Sequence, residues 1–319
     1  MKRKIIKLGQ ATYVTSLPSK WMRKHGLAKG DYLEFEEKAN QLIISTKRNL
    51  PDMEVTLDLK KLNSRLISTY VQCYFLLGYD KIILLHNPNI IEYKTGDEIS
   101  STKYIQDLVN KRLIGVEIVD QNESKTVLVD LSGIKEEAKS QVFNRIVFMI
   151  KTLAQDCYDG ISNNKLEELS TIEHRYHNIN RFLMHYQRVF VKSGKCDSQS
   201  YAYTLQLFSQ LKYIAGTYYH IAKMVTNQDV KFSSKALKLF AKFNKGLDMS
   251  LNQCLGFNKD KALNFIDLRD NLWKDIGDAQ KDFKRDDLLL LTFLMSLMFP
   301  TYLILKTCFT LDQIDKKAD

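Results

Sequence analysis

Apolar residues are distributed differently in three successive zones of this 319-residue chain. In the first zone, residues 1–48, stretches such as "YLEFE" and "LIIS" alternate apolar and polar side chains, which is the period of a half-buried β-strand. Two more short strands flank a turn at Gly9–Gln10. A helix from Ser19 to His25 follows, with Ser19 as its N-cap and Gly26 as its left-handed C-cap. The first zone is therefore predicted to be a small, β-rich domain.

The second zone, residues 50–133, mixes strand and helix patterns. Four segments read as strands: "EVTLDL", "KIILL", "GVEIVD" and "TVLVDL". Two segments carry apolar residues at helical spacing: "KKLNSRLISTYVQCYFLLGY" and "ISSTKYIQDLVNKRL". Strands that alternate with helices predict a small α/β domain between the two ends of the chain.

The third zone, residues 134–319, contains no strand pattern. Its helical periodicity is broken by short polar segments and predicts six helices, over residues 134–158, 164–194, 197–228, 232–256, 258–284 and 286–312. Long helices with short connections pack antiparallel, as in bundles, so we expect two three-helix bundles in succession. The predicted fold class is multidomain and mainly α.

The last helix contains an uncharged segment from Leu288 to Leu305, close to the shortest length of a membrane-spanning helix. Pro300 interrupts this segment, and Ser and Thr residues dilute its apolar character. The central helix of a bundle is also apolar on all sides. We therefore expect a buried core helix and no membrane insertion.

Positive charge is concentrated in the first zone. Residues 1–48 hold 11 Lys or Arg against 4 Asp or Glu, a net +7, whereas the whole chain carries +10. A basic terminal domain on a nearly balanced body indicates contact with a polyanion through that domain.

The five cysteines, Cys73, Cys157, Cys196, Cys254 and Cys308, are scattered and never spaced as CxxC. An odd number of dispersed cysteines is typical of free thiols in a reducing compartment. The N-terminus turns polar immediately and carries no apolar signal core, so a cytoplasmic location is expected.

The segment "KLGQATYVTSLPSKWMRKHGLAKGDYLEFEE" resembles the AbrB/SpoVT swapped-hairpin domain, a basic DNA-binding fold that also occurs in antitoxins. The most specific part is the frame "SLP", Trp, "GL" and "GD" in this order. The resemblance implies that two copies exchange hairpins and bind duplex DNA as a homodimer. Physical chemistry agrees, because a chain of about 40–60 residues is at the lower limit for a self-sufficient core.

The resemblance places DNA contacts on the first strand and its loop. The candidate residues here are Lys2, Arg3, Lys4 and Lys7, with Thr12 and Thr15 as polar partners and Arg23 and Lys24 on the helix as weaker candidates. Most such contacts go to phosphates and position the protein, while few read bases. Trp21 is expected in the dimer core rather than as a platform for stacked bases.

The helical zone resembles the archaeal-type PhoU-domain proteins known as phosphate uptake regulators. The likeness rests on the order of the helices and on "QVFNRIVFMIKTLAQD", "IEHRYHNINRFLMHYQRVF" and "LKYIAGTYYHIAKMV". It implies a role in phosphate uptake or homeostasis, with a phosphate transporter or a signalling protein as a further partner.

That family binds metal clusters through acidic residues spaced along facing helices, and this chain departs from the pattern. The corresponding positions hold Glu173, His177, Asn180 and Gly216. Asp267 and Asp270 remain on one later helix, but the last helix has no acid between Asp287 and Asp312. We therefore expect no metal cofactor, and Glu173 and His177, with His174 beside them, are the remaining candidate ligands.

Two functions from different classes remain. The motif search found no phosphate-binding loop, GxSxG, HExxH or paired CxxC pattern, so an enzyme is not expected. The first hypothesis is a dimeric transcriptional regulator whose helical body senses a partner or effector. The alternative is an adaptor that docks on a phosphate transporter or sensor kinase and uses the N-terminal domain solely to dimerise.

Overall fold

The computed structural model describes residues 2–38, 41–46, 53–131, 139–193, 198–228 and 230–318. The chain separates into two compact units between Asp52 and Met53. We call residues 1–52 the hairpin unit and residues 53–317 the body, and each is described by itself. The domain boundaries predicted near residues 48, 50 and 133 lie outside the described residues.

The hairpin unit contains four short strands and one short helix. Its elements are β1 Ile6–Leu8, β2 Thr12–Val14, α1 Ser19–Lys24, β3 Glu34–Lys38 and β4 Gln41–Ser45. The strands form two separate antiparallel pairs, β1 with β2 and β3 with β4. The prediction of a small β-rich N-terminal region is thereby confirmed.

The two ends of α1 differ in how well the sequence predicted them. The expectation that Ser19 is the N-cap was wrong, because the helix begins at Ser19 and Pro18 occupies the cap position, without a side-chain cap. At the other end Gly26 adopts a φ of +60°, as predicted. Its N–H donates to the carbonyl of Arg23, and the N–H of Leu27 donates to that of Met22 at 2.9 Å. This is the Schellman arrangement that ends a helix.

The body opens with an α/β part built around a four-stranded sheet. Its elements are β5 Glu54–Asp58, α2 Ser64–Leu76, β6 Lys81–Leu85, β7 Asn89–Ile91, β8 Glu98–Ser100, α3 Ser101–Arg112, β9 Val116–Gln121 and β10 Lys125–Asp130. The sheet order is β5-β6-β10-β9, with β5 and β6 parallel and the other pairs antiparallel. All four predicted strands and both helices are present, whereas the β7–β8 hairpin was not predicted.

One face of α2 holds this part together. Ile67, Val71 and Phe75 recur at helical spacing, are fully buried and belong to the same apolar cluster as Leu84 and Leu128 in the sheet. The N-terminus of α2 is capped by the Asn63 side chain, which accepts a hydrogen bond from the N–H of Leu66.

The rest of the body is helical. Its elements are α4 Lys139–Ser162, α5 Leu166–Ser170, α6 Ile172–Ser193, α7 Ser198–Asn227, α8 Ser234–Gln253, α9 Lys259–Ala279 and α10 Arg285–Ala318. The six predicted helices correspond to all of these except α5, a single additional turn. The predicted starts at residues 134 and 197 lie outside the described residues. One continuous apolar core receives side chains from α4 through α10, and the division into two three-helix bundles stays a prediction.

The helix α10 has a buried and an exposed apolar face. Residues 285–316 are long and apolar enough to cross a membrane by length and composition, and 44% of an apolar 18-residue segment within them is buried inside the body. Leu290, Leu294 and Leu297 lie in the core, in agreement with a core helix. Met295 and Phe299 are exposed on the opposite side, so the sequence segment looks apolar all round.

A buried ion pair joins the α/β part to the helices. The guanidinium of Arg188 on α6 is 1% exposed and donates from Nη2 to Oδ2 of Asp130 on β10 at 2.7 Å. The same group donates to the backbone carbonyls of Phe75 and Tyr79. The Asp130 side chain is itself 3% exposed, and its charge is compensated by Arg188 and by Lys192, whose Nζ lies 3.6 Å from Oδ2.

Removing the Arg188 side chain should therefore destabilise the body strongly. In Arg188→Met the Asp130 carboxylate stays buried without its main partner, and we expect the free energy of unfolding to fall by about 3–5 kcal/mol. Urea denaturation measures this value. Lys111→Ala, which breaks an exposed pair with Asp107, is the control and should cost at most about 1 kcal/mol. Equal free energies of unfolding for the two variants would contradict the proposal that the Arg188–Asp130 pair holds the body together.

Candidate nucleic-acid interface

The strand register of the β1–β2 hairpin assigns its side chains to two faces. Lys7 pairs with Tyr13, Ile6 with Val14 and Leu8 with Thr12. Residues that lie opposite each other share a face, and neighbours along a strand alternate between faces. One face therefore carries Lys7 and Tyr13. The other carries Ile6, Leu8, Thr12 and Val14.

The eight predicted DNA-binding residues are all exposed in a single copy of the hairpin unit. Lys2, Arg3 and Lys4 precede β1, and Lys7 lies within it. Thr12 lies on β2 with an apolar face, away from Lys7. The hairpin thus separates two residues that the sequence grouped together, because a grouping by chain position ignores the alternation of strand faces.

The remaining candidates have structural roles of their own. The Thr15 hydroxyl donates to the backbone carbonyl of Lys4 at 3.4 Å and so holds the basic segment beside the returning chain. Arg23 and Lys24 lie in the last turn of α1, where positive charge favours the helix C-terminus. Tyr13 was missed as a candidate. Counting every second residue from Lys7 across the turn reaches Tyr13. This period is the sequence signal that places Tyr13 on the same face as Lys7.

The side chains that the structure describes in the hairpin unit form no buried core by themselves. Among the side chains that the structure describes in residues 2–38 and 42–46, none reaches the burial typical of a core. Large apolar side chains are instead open to solvent, with Tyr32 92%, Ile5 74% and Phe35 61% exposed. Exposed apolar patches of this kind mark sites of contact with another molecule.

Trp21 is partly buried within α1 rather than presented to solvent. Its ring lies 5.1 Å from that of His25, one helical turn later, and Met22 beside it is also half-buried. This environment is typical of a packing residue. The expectation that Trp21 belongs to the dimer core and is not a stacking platform stays a prediction.

An aromatic stack lies beside the positions suggested for a metal. Tyr176 on α6 stacks on Tyr219 of α7, with ring centroids 4.9 Å apart. Gly216 lies against that pair, because a Cβ at this position would be 3.7 Å from the Tyr176 ring. Oε1 of Glu173 lies 3.5 Å from Nε2 of His177 and accepts a hydrogen bond from the Tyr219 hydroxyl at 3.4 Å. Among the described residues, no three His, Cys, Asp or Glu side chains converge as a metal site.

Two histidines of α6 are held neutral by their surroundings. Burial lowers the pKa of His177, and the nearby positive charge of Arg112 lowers it further, against the opposing effect of Glu173. Burial also lowers the pKa of His185, although Asp130 opposes this shift. The Nδ1 atoms of both histidines are buried without a hydrogen-bond partner among the described residues.

A comparison with protein families identifies the class of the N-terminal domain. Residues 6–52 match the family described as antidote-toxin recognition MazE, bacterial antitoxin. The hairpin unit is thus a MazE/AbrB-like domain, and domains of this type typically dimerise and bind DNA. The match ends before the body begins. Neither a curated protein nor a solved structure matched the chain.

Acidification should destabilise the body through the two neutral histidines. Because their pKa values are lower in the folded chain than in the unfolded one, the unfolded chain binds protons first as the pH falls. The free energy of unfolding should then decrease as the pH drops through about 6.5. Thermal unfolding between pH 7.5 and 5.5 measures this decrease in stability. The double variant His177→Gln/His185→Gln should lose less stability over this pH range than the wild type. The exposed His174→Gln is the control, and an unchanged pH dependence in the double variant would contradict the assignment.

Proposed function

We propose that this chain is a cytoplasmic, dimeric, DNA-binding transcriptional regulator that acts in phosphate uptake or homeostasis. In this proposal the hairpin unit reads DNA, and the body senses a partner or effector. The observation that carries the proposal is the MazE/AbrB-like match of residues 6–52 on a basic segment whose apolar side chains are exposed in one copy. Neither an enzymatic activity nor a metal cofactor is part of the proposal.

Dimerisation follows from the energetics of the exposed apolar side chains. Each large apolar side chain that becomes buried contributes about 1.5–3 kcal/mol. The apolar face of the β1–β2 hairpin and Phe35 and Leu42 of the second hairpin offer several such side chains per copy. A second copy presents the same surfaces, so exchange of hairpins buries both sets and makes folding and dimerisation one process.

DNA binding is supported by the arrangement of charge. Lys2, Arg3, Lys4 and Lys7 extend along one exposed segment, and a dimer carries this segment twice. Two basic segments related by a two-fold axis suit the two half-sites of a pseudo-palindromic duplex. Tyr13 shares the face of Lys7 and adds a hydroxyl that hydrogen-bonds to phosphates or base edges.

The assignment of the body to phosphate physiology rests on its resemblance to PhoU-domain regulators. The order and lengths of α4 and α6 through α10 support that resemblance. The positions that hold acidic ligands in that family carry Glu173, His177, Asn180 and Gly216 in this chain, and the Tyr176–Tyr219 stack lies beside them. Recognition by the body is therefore proposed to be protein contact, and a partner regulates DNA binding if it has different affinity for the free and DNA-bound states.

A second candidate function is favoured by the outer face of α10. Leu288, Met295, Phe299 and Phe309 are exposed along one side of this helix. An adaptor that docks on a phosphate transporter or a sensor kinase would use such a face, with the hairpin unit serving dimerisation alone. Membrane fractionation and co-purification with transporter subunits distinguish this function from DNA reading.

Affinity for duplex DNA should depend steeply on salt and on three residues. Replacement of Arg3, Lys4 and Lys7 by Ala removes six charges per dimer. The slope of log affinity against log salt should then decrease in magnitude by up to about 5, with binding lost at physiological salt. Fluorescence anisotropy with genomic fragments that co-purify with the protein measures both quantities. The matched control replaces the exposed Lys259, Lys261 and Lys281 of the body, which should leave binding unchanged.

Absence of duplex binding by the intact protein even at low salt would rule out the DNA-reading function and leave the adaptor. Equal losses in the two triple variants would show that net charge, and not the hairpin unit, determines binding.

Apolar-to-charged substitutions in the hairpin unit should separate the dimer. Ile6→Asp and Phe35→Asp place carboxylates on surfaces that the second copy is proposed to cover, where an unpaired charge is costly. Sedimentation equilibrium should give twice the 37.1-kDa chain mass for the wild type and the single mass for each variant. Leu263→Asp, at an exposed position of the body, is the control and should leave the mass unchanged. A wild type of single mass at micromolar concentration would contradict this model.

A further inference from the structure

We propose that Cys254 and Cys308 form a reversible redox site that a low-molecular-weight disulfide oxidises to an intramolecular disulfide. Cys254 is the C-cap of α8 and Cys308 lies on α10, 54 positions later in the chain. Their sulfur atoms are 3.3 Å apart, and the Cys308 thiol donates to the Cys254 sulfur. A disulfide bond measures about 2.05 Å, so closure requires an approach of about 1.3 Å.

The other described cysteines have no such neighbour. Cys157 is fully buried in the helical core, and its thiol faces the carbonyl of Tyr218 at 3.8 Å. Burial raises the pKa of the Cys157 thiol, which lowers its reactivity. Cys73 is exposed on α2. Cys196 lies outside the described residues. The short distance between their sulfur atoms therefore distinguishes Cys254 and Cys308 from the other cysteines that the structure describes.

A cavity of about 310 Å³ gives access to both thiols. Phe208 and Phe257 form part of its apolar lining, together with the two cysteines, and Asp312 lines it as well. Pockets of this size accommodate small organic molecules. The cavity thus leads a small disulfide to Cys254, the residue of the pair that is the less buried as a whole.

The reaction consists of two thiol–disulfide exchanges. The Cys254 thiolate attacks one sulfur of the oxidant, the oxidant's S–S bond breaks, and the released thiolate takes up a proton. The Cys308 sulfur then attacks Cys254, forms the protein disulfide and releases the second small thiol. The protein loses two protons and two electrons, and the oxidant gains both.

The surroundings make the pair slow to react at neutral pH. The hydrogen bond shared with Cys308 and burial raise the pKa of Cys254 well above its usual value, so the protonated thiol predominates at neutral pH and the exchange proceeds faster at higher pH. Oxidation would close a loop that contains all of α9 and tie the end of α8 to α10. The consequence is a restriction of the motion of the end of α8 relative to α10.

Oxidation of the full-length protein with hydroxyethyl disulfide tests the proposal. After trapping of free thiols with N-ethylmaleimide, peptide mapping should show a Cys254–Cys308 disulfide two hydrogen masses below the reduced pair. The midpoint of thermal unfolding should rise by roughly 5–10 °C and return after dithiothreitol treatment. Cys73→Ser is the control and should retain both changes.

Cys254→Ser and Cys308→Ser should each abolish the new disulfide and the shift in midpoint. Peptide mapping of the wild-type protein needs no variant, so it tests the proposed disulfide even if a variant fails to fold. Complete alkylation of both cysteines after oxidation would overturn the proposal, as would a mixed disulfide on Cys254 that persists without closure. These outcomes are independent of whether the protein binds DNA.

Discussion

The constraint on which this molecule depends is that the described apolar side chains of the hairpin unit are left without a buried core in one copy. The segment carries strands with correct alternation and a well-terminated helix, yet Tyr32 and Phe35 remain open to solvent in one copy. The strands and the helix follow local sequence rules, but the described apolar side chains are not buried by tertiary packing in one copy. A second copy removes this conflict, and the same pairing doubles the basic segment around Lys4. Assembly and recognition of a polyanion are thus proposed to have one physical cause.

The body has the opposite character. It has a continuous helical core and an α/β part fixed to that core by the buried pair of Arg188 and Asp130. Such a pair is weak evidence for stability, but it fixes one arrangement, because any other leaves a charge buried without compensation. A body of this kind can present a partner with a defined surface. Its apolar α10 face and the cavity at Cys254 and Cys308 are the features that the DNA-reading function leaves unused.

Much of the fold was predictable because periodicity and termination signals are local. The six long helices, the four strands of the sheet and the left-handed Gly26 followed from spacing and residue type alone. The β7–β8 hairpin was missed because strands of three residues carry too little pattern. Ser19 was misplaced by one position because Pro18, which fixes its own φ, occupies the cap instead.

The site was less predictable, because its properties depend on contacts between distant residues. The basic cluster was visible in the composition, but the separation of Thr12 from Lys7 required the strand register. A sequence pattern reads Arg188 as a surface charge, and only its contact with Asp130 shows that it is a core residue.

Hydrogen exchange at varied protein concentration tests the central claim most directly. If a second copy completes the core of the hairpin unit, backbone amides in residues 6–14 and 34–45 should be protected when the chain is dimeric. They should exchange rapidly once dilution separates the copies, while amides of α4 and α7 in the body remain protected throughout. Protection of the hairpin unit that does not change with concentration, at a mass shown to be monomeric, would contradict the account.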